Sequence, residues 1–287
     1  MQERAGDPRP GPSVEVRIVD VRDGRSQPRF DRIATEEPLE IRLRAGGRTK
    51  TVAITMRTPG NDFELAAGFL HGEGIIRGLT DLHSLSYCVD RDVAEAQRYN
   101  IVNVDLAAPE LPELQTLERH FTTTSACGVC GKATLEALAV RGVEPLRSQE
   151  TIDPVTVAHL PESLRAAQGL FQKTGGLHAA GLFDFTGKRI ALREDVGRHN
   201  AVDKVIGWAL LQRELPLGQR ILMVSGRTSY EIVQKAVVAG LPIVCAVSAP
   251  SSLAVDLARA FNVTLVGFLR EAHFNVYAGT ERIAASR

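Results

Sequence analysis

The chain has 287 residues, 44% hydrophobic and 24% charged, with 25 glycines and 14 prolines. At about 100–200 residues per domain this is one large domain or two small ones, and it excludes disorder, collagen or coiled coil as the overall state. Lys+Arg and Asp+Glu balance at 34 each, so no global positive field exists to hold nucleic acid or an anionic membrane.

The four cysteines, Cys88, Cys127, Cys130 and Cys245, are too few for a disulfide scaffold and fit a reducing compartment. Residues 1–13 are polar and proline-rich, without an apolar export segment, and read as a disordered tail. The longest uncharged stretch, Ala236 to Val255, is broken by Gly240, Pro242 and Pro250 into helix end, strand, turn and helix start. These features predict a cytoplasmic protein with no membrane span.

From Val14 the pattern is β. VEVRIVDV is followed by LEIRLR and TKTVAITM, the last two separated by Ala45-Gly46-Gly47-Arg48, a hairpin signal. Asn61 is placed to cap a helix in DFELAAGFLHGE, and LHSLSYCV and YNIVNVDL read as strands joined by a charged link. Residues 14–106 thus form an N-terminal β-rich part, 107–120 a linker and 121–287 an α/β domain. That domain starts with a hydroxyl-rich loop feeding a helix from near Gly131. A helix is expected over 160–172. Strand and helix then alternate from Gly175 to Arg270, with helices at 198–213, 228–239 and 251–261, and FNVYAG closes the chain as a strand. This alternation predicts βαβ crossovers and a partly parallel sheet with helices on its faces.

The strongest chemical signal is Cys127-Gly128-Val129-Cys130. As half a zinc site it needs two more ligands, and Cys88 and Cys245 each sit in an apparent strand, where a lone cysteine is usually a small core hydrophobe. As a redox pair it would cycle between dithiol and disulfide, with a helix N-terminus and Lys132 favouring the thiolate. As a sulfur carrier, one thiolate on a loop of small residues would accept sulfane sulfur and hand it on. Spacing alone leaves all three open.

A second constellation lies at the expected C-terminal ends of successive strands. It comprises Val196-Gly197-Arg198-His199-Asn200, Ser225-Gly226-Arg227-Thr228-Ser229, Ser248-Ala249-Pro250-Ser251-Ser252 and Gly267-Phe268-Leu269-Arg270. Small and hydroxyl residues beside helix starts, with arginines, are what phosphate binding needs, and open α/β sheets bind ligands at this edge. Ser225, Gly226 and Arg227 are the candidates in the second loop. The bland reading makes the hydroxyl residues helix caps. No Walker sequence or G-x-G-x-x-G occurs, so nucleotide hydrolysis and dinucleotide redox have no support. His178 begins a strand in a setting similar to the H-x-E of zinc deaminases, but Ala180 takes the glutamate position. Glu194-Asp195 near Arg198-His199 reads equally well as a structural ion-pair cluster or as catalytic groups.

Taken together, SACGVCGK, TGGLHAAGLFD, EDVGRHNAVDKVIG, SGRTSYEIVQKA, SAPSSLAVDLA and GFLR followed by FNVY resemble the FdhD family of formate dehydrogenase accessory sulfurtransferases. The resemblance is strong over about 121–283 and looser before. It implies a cytidine-deaminase-like α/β fold, a mixed sheet with helices on both faces, beside the N-terminal β-rich part. It implies a sulfurtransferase that takes sulfur from a cysteine desulfurase. The acceptor would be the bis(molybdopterin guanine dinucleotide) cofactor of molybdenum or tungsten, before that cofactor enters the formate dehydrogenase catalytic subunit. Carried over by residue, Cys127 bears the persulfide, Cys130 assists, and the cofactor-binding segment falls on Phe268, Leu269, Arg270, Glu271, Ala272 and His273. No catalytic zinc is expected, and a homodimer would suit a ligand with two like arms. The rivals are a non-catalytic cofactor chaperone and a thiol oxidoreductase.

Overall fold

The computed structural model describes residues 10–112, 142–148 and 150–285. Cys127, Cys130, most of the expected linker and the helix expected from Gly131 lie outside these residues.

The N-terminal part holds two sheets. Strands β1 (Ser13–Arg22) and β2 (Arg25–Ala34) form a two-stranded antiparallel ribbon, turning at Asp23 and Gly24, both at positive φ. The sequence reading missed β2: RSQPRFDRIA carries no alternation because neither face of the ribbon enters a core. Its Pro28 is tolerable because the ribbon's outer edges are unpaired. Strands β3 (Glu37–Ala45) and β4 (Arg48–Arg57) form the expected Gly46-Gly47 hairpin, and with β5 (Leu82–Tyr87) and β6 (Ile101–Leu106) make a sheet of order β4-β3-β6-β5. The charged link between β5 and β6 contains a one-turn helix, α2 (Glu95–Arg98). Leu39, Ile41 and Leu43, alternating along β3, pack on Leu65, Ala66 and Leu70 of helix α1 (Asp62–Gly72). Asn61 does hold the N-cap position of α1, but at φ 57°, and its side chain makes no cap bond.

The expected helix over 160–172 is two helices, α3 (Pro154–Ala166) and α4 (Gly169–Thr174). Asp153 caps α3 by accepting from Val155 N (2.8 Å), with Pro154 in the first turn where its missing N–H costs nothing. The helix thus starts six residues before the expected 160, and it carries Pro161 in its interior. The chain continues β7 (His178–Phe183), β8 (Arg189–Asp195), α5 (Arg198–Leu211), β9 (Ile221–Val224), α6 (Tyr230–Val238), β10 (Ile243–Ala246), α7 (Ser252–Ala260), β11 (Thr264–Arg270) and β12 (His273–Ala278). These strands form one mixed sheet of order β12-β11-β10-β9-β7-β8, in which β9, β10 and β11 run parallel. Helices cover both faces, as period-two burial requires: Leu222 and Val224 pack with α5, α6 and α7, while Ile221 and Met223 face Val157, Leu160 and Leu164 of α3.

The two parts interlock through α1 and α5. A Cβ on Gly68 would lie 1.9 Å from Asp203 O, and one on Gly207 1.8 Å from Glu64 O, so the two backbones touch where both residues are glycine. Beside this crossing Lys204 Nζ donates to Asp195 Oδ2 (2.6 Å) and to Thr58 O (2.8 Å). The pair is fully buried and ties β8, α5 and the loop before α1 together. The expected cluster of Glu194-Asp195 with Arg198-His199 does not form. Asp195 instead accepts from Lys204, Thr58 N, Gly197 N and Asn200 Nδ2, while Glu194 accepts from Leu170 N and Phe171 N at the start of α4.

Candidate functional site

The order of the large sheet reverses around β7: the chain moves outward to β8, then returns on the other side of β7 to β9. Open α/β sheets hold ligands in the crevice outside such a reversal, at the C-terminal strand ends. Here the loops after β9 and β10 and the irregular end of β11 are joined into one ledge by backbone hydrogen bonds. Thr228 N donates to Ala249 O (3.2 Å), Ser251 N to Thr228 O (3.0 Å) and Phe268 N to Ser248 O (3.3 Å). Contact is close enough that a Cβ on Gly267 would meet Pro250 Cδ at 3.0 Å and Ser248 O at 3.1 Å. The register of β11 with β12 breaks between Gly267 and Arg270, and Phe268 is held there at φ 53°. A bulky residue in that region costs about 1–3 kcal/mol and persists where its surroundings fix it.

The ledge borders a cleft of about 840 Å³. From α3 and α4 it is lined by Glu162, Leu164, Arg165, Gln168 and Phe171, and from the sheet and its loops by Leu177, His178, Ser225, Val247, Leu269, Arg270 and Glu271. Arg165 and Arg270 are exposed and make no ion pair with a described residue. Two exposed, unpaired arginines in a cleft that also offers apolar surface form a site suited to a flat ligand bearing phosphates.

The structure brings some of the expected residues together here and leaves others aside. Ser225, Leu269, Arg270 and Glu271 line the cleft. Ser225 is also part of the frame: its N–H donates to Ala179 O (3.0 Å) and its Oγ accepts from Ala179 N (2.9 Å), fastening β9 to β7. Leu269 is fully buried in the core with Val266 and Cys245. Gly226 sits against His178, whose Nδ1 would be 3.3 Å from a Cβ there. Arg227 is exposed, and Phe268, Ala272 and His273 do not line the cleft. Glu271 and Ala272, both at positive φ, form the tight turn between β11 and β12, the geometry of a two-residue hairpin. Sequence reasoning missed the wall from α3 and α4, because no motif marks Arg165, Gln168 or Phe171.

The capping reading holds for one loop and fails for another. Ser251 Oγ accepts from Ala254 N (3.2 Å) and caps α7, whereas Ser229, at the same position of α6, makes no cap bond and pairs with His199 Nε2 (3.0 Å). Burial, then the adjacent Arg198 guanidinium, push His199 down to about 4. The same causes lower His178. Both imidazoles are therefore neutral near pH 7, and Arg198 carries the positive charge between them. Arg198 Nε is buried with no hydrogen-bond partner.

Among the described residues no three His, Cys, Asp or Glu side chains are placed to hold a metal. Cys88 and Cys245 are buried free thiols; burial pushes Cys245 up to about 12, so it behaves as the core hydrophobe expected. No helix among the described residues is long and apolar enough to cross a membrane.

Comparison with known proteins agrees with this geometry. The model of the FdhD/NarQ family matches residues 34–284. A protein named sulfur carrier protein FdhD from Streptomyces coelicolor is 51% identical over 93% of this chain and 94% of its own length. The protein of that name from Sulfolobus acidocaldarius is 44% identical over 94% and 98%. The crystal structure of a candidate formate dehydrogenase accessory protein from Desulfotalea psychrophila superposes with a TM-score of 0.73 at 26% identity, covering 95% of this chain and 99% of that one. With its mixed sheet, its ledge of strand-end loops and its match over most of its length, this chain belongs to the FdhD/NarQ family.

Proposed function

We propose that the protein is a sulfurtransferase that carries sulfur on Cys127 from a cysteine desulfurase to the bis(molybdopterin guanine dinucleotide) cofactor required by formate dehydrogenase. Relatives named as sulfur carriers support the first half of this reading. The observation that carries the second half is the cleft at the strand ends, which Arg165 and Arg270 line together with apolar side chains. In loading, Cys127 thiolate attacks the terminal sulfur of the desulfurase persulfide and the desulfurase thiolate leaves. In delivery, Cys130 thiolate attacks Cys127 Sγ, the two sulfurs form a disulfide, and the terminal sulfur departs as sulfide to become a metal ligand. The dithiol supplies both electrons, so each turnover ends with a disulfide that a cellular dithiol must reduce. Arg165 and Arg270 hold phosphate groups of the acceptor, and Ser225 and His178 shape its seat.

Intact-mass spectrometry after incubation with a cysteine desulfurase and cysteine tests the carrier step. The wild type should gain sulfur that reducing agent removes, Cys127→Ala should gain none, and Cys130→Ala should load but fail to discharge. Loading that survives Cys127→Ala would move the carrier role to another thiol, and formate dehydrogenase activity sustained by the double cysteine variant would favour a chaperone without sulfur chemistry.

A further inference from the structure

Gln168 occupies the N-cap position of α4 and lines the cleft, yet its residue is only 5% exposed. Its side chain does not cap its own helix, and it makes no hydrogen bond to any described residue. The capping duty has passed to Glu194, whose carboxylate accepts from Leu170 N (3.0 Å) and Phe171 N (2.7 Å). Neither amide atom is among the fully sealed polar atoms that lack a partner, so what remains open of this largely buried residue is its carboxamide. The cleft that Gln168 lines also carries the apolar side chains of Leu164 and Leu269 and the ring of Phe171. A carboxamide offers a donor and an acceptor side by side in one plane. The complementary group is the amide edge of a flat heterocycle, an N–H beside a C=O.

We propose that Gln168 is a ring-reading residue of the cleft, its Oε1 accepting the ring N–H and its Nε2 donating to the ring carbonyl of the ligand. The inference rests on the reading of the cleft as the cofactor's seat. Guanine and the pterin present the same amide edge, so either end of the cofactor satisfies the chemistry. The ligand's bonds replace none made within the protein and exchange only with bonds to water. A site that pairs with a polar ring edge rejects ligands lacking it far more strongly than an apolar pocket does.

Calorimetric binding of guanosine diphosphate, 6-hydroxymethylpterin and inorganic pyrophosphate to the full chain tests this, with Gln168→Met and Arg270→Ala beside the wild type. Gln168→Met keeps the volume and removes an unpartnered amide, so its melting temperature should equal or exceed that of the wild type. It should bind one or both ring ligands about 10- to 100-fold more weakly and pyrophosphate unchanged. Loss confined to guanosine diphosphate places the guanine at Gln168, and loss confined to the pterin places that ring there. Unchanged ring binding by Gln168→Met overturns the inference; if Arg270→Ala still weakens guanosine diphosphate, the cleft reading survives it. If neither variant weakens any probe, the cleft is not the seat and both readings fall.

Discussion

At the scale of single residues, the site is governed by which side chain takes which local bond. Ser229 and Ser251 look equivalent in sequence, each a serine ahead of a helix, but Ser251 caps α7 and Ser229 serves His199. Burial, then the Arg198 charge, leave His199 titrating at about 4, against 6.5 for an unperturbed histidine. Between those values the unfolded chain binds a proton that the folded chain refuses, so stability is lost as pH falls from about 6.5 to about 4. His199→Gln should flatten this part of the profile. Melting temperatures of wild type and variant, measured from pH 7 to 4.5, should converge toward the acid end; parallel curves would place the acid sensitivity elsewhere. Gln168 and Glu194 show the same logic: the second side chain takes the helix end and leaves the first free for the cleft.

At the scale of elements, the crossing of α1 and α5 is the tightest constraint described. Gly68→Ala or Gly207→Ala must separate two helix backbones, an overpacking cost of about 3 kcal/mol or more. Either variant should lower the denaturant midpoint, and a midpoint within error of wild type would show that the helices slide freely. This crossing was invisible in the sequence, because both glycines sit inside helical patterns with nothing to pair them. Elements with a period and a buried face were legible: the β3–β4 hairpin with Gly46-Gly47, and the alternation from β7 to β12, came out with ends shifted by a residue or two. Strand β2 was not, since a ribbon exposed on both faces has no apolar period to read. The break between α3 and α4 was missed because Ala167-Gln168 carries no glycine or proline ahead of Gly169 to mark it, and the start was placed late although Asp153-Pro154 signals it. The ledge was legible for the opposite reason, since its loops inherit their position from the strands before them. The α3–α4 wall faces it only through tertiary packing.

At the scale of the whole molecule, the N-terminal and α/β parts are held together by a charge as well as by helix packing. Lys204 and Asp195 are buried, and Lys204 also reaches the loop before α1 through Thr58 O. Lys204→Met would strand the Asp195 carboxylate without its cation and should cost about 3–5 kcal/mol. The double variant Lys204→Met, Asp195→Asn should recover part of that loss in chemical denaturation, and additive losses would mean that the two side chains act independently. The core of the large sheet has a further consequence. Cys245 is sealed between α3 and the opposite helix layer, with its thiol pushed up to about 12. A thiol so placed is a clock: an alkylating reagent reaches it only when β10 leaves the sheet, so its rate of modification counts global openings of the native molecule one at a time.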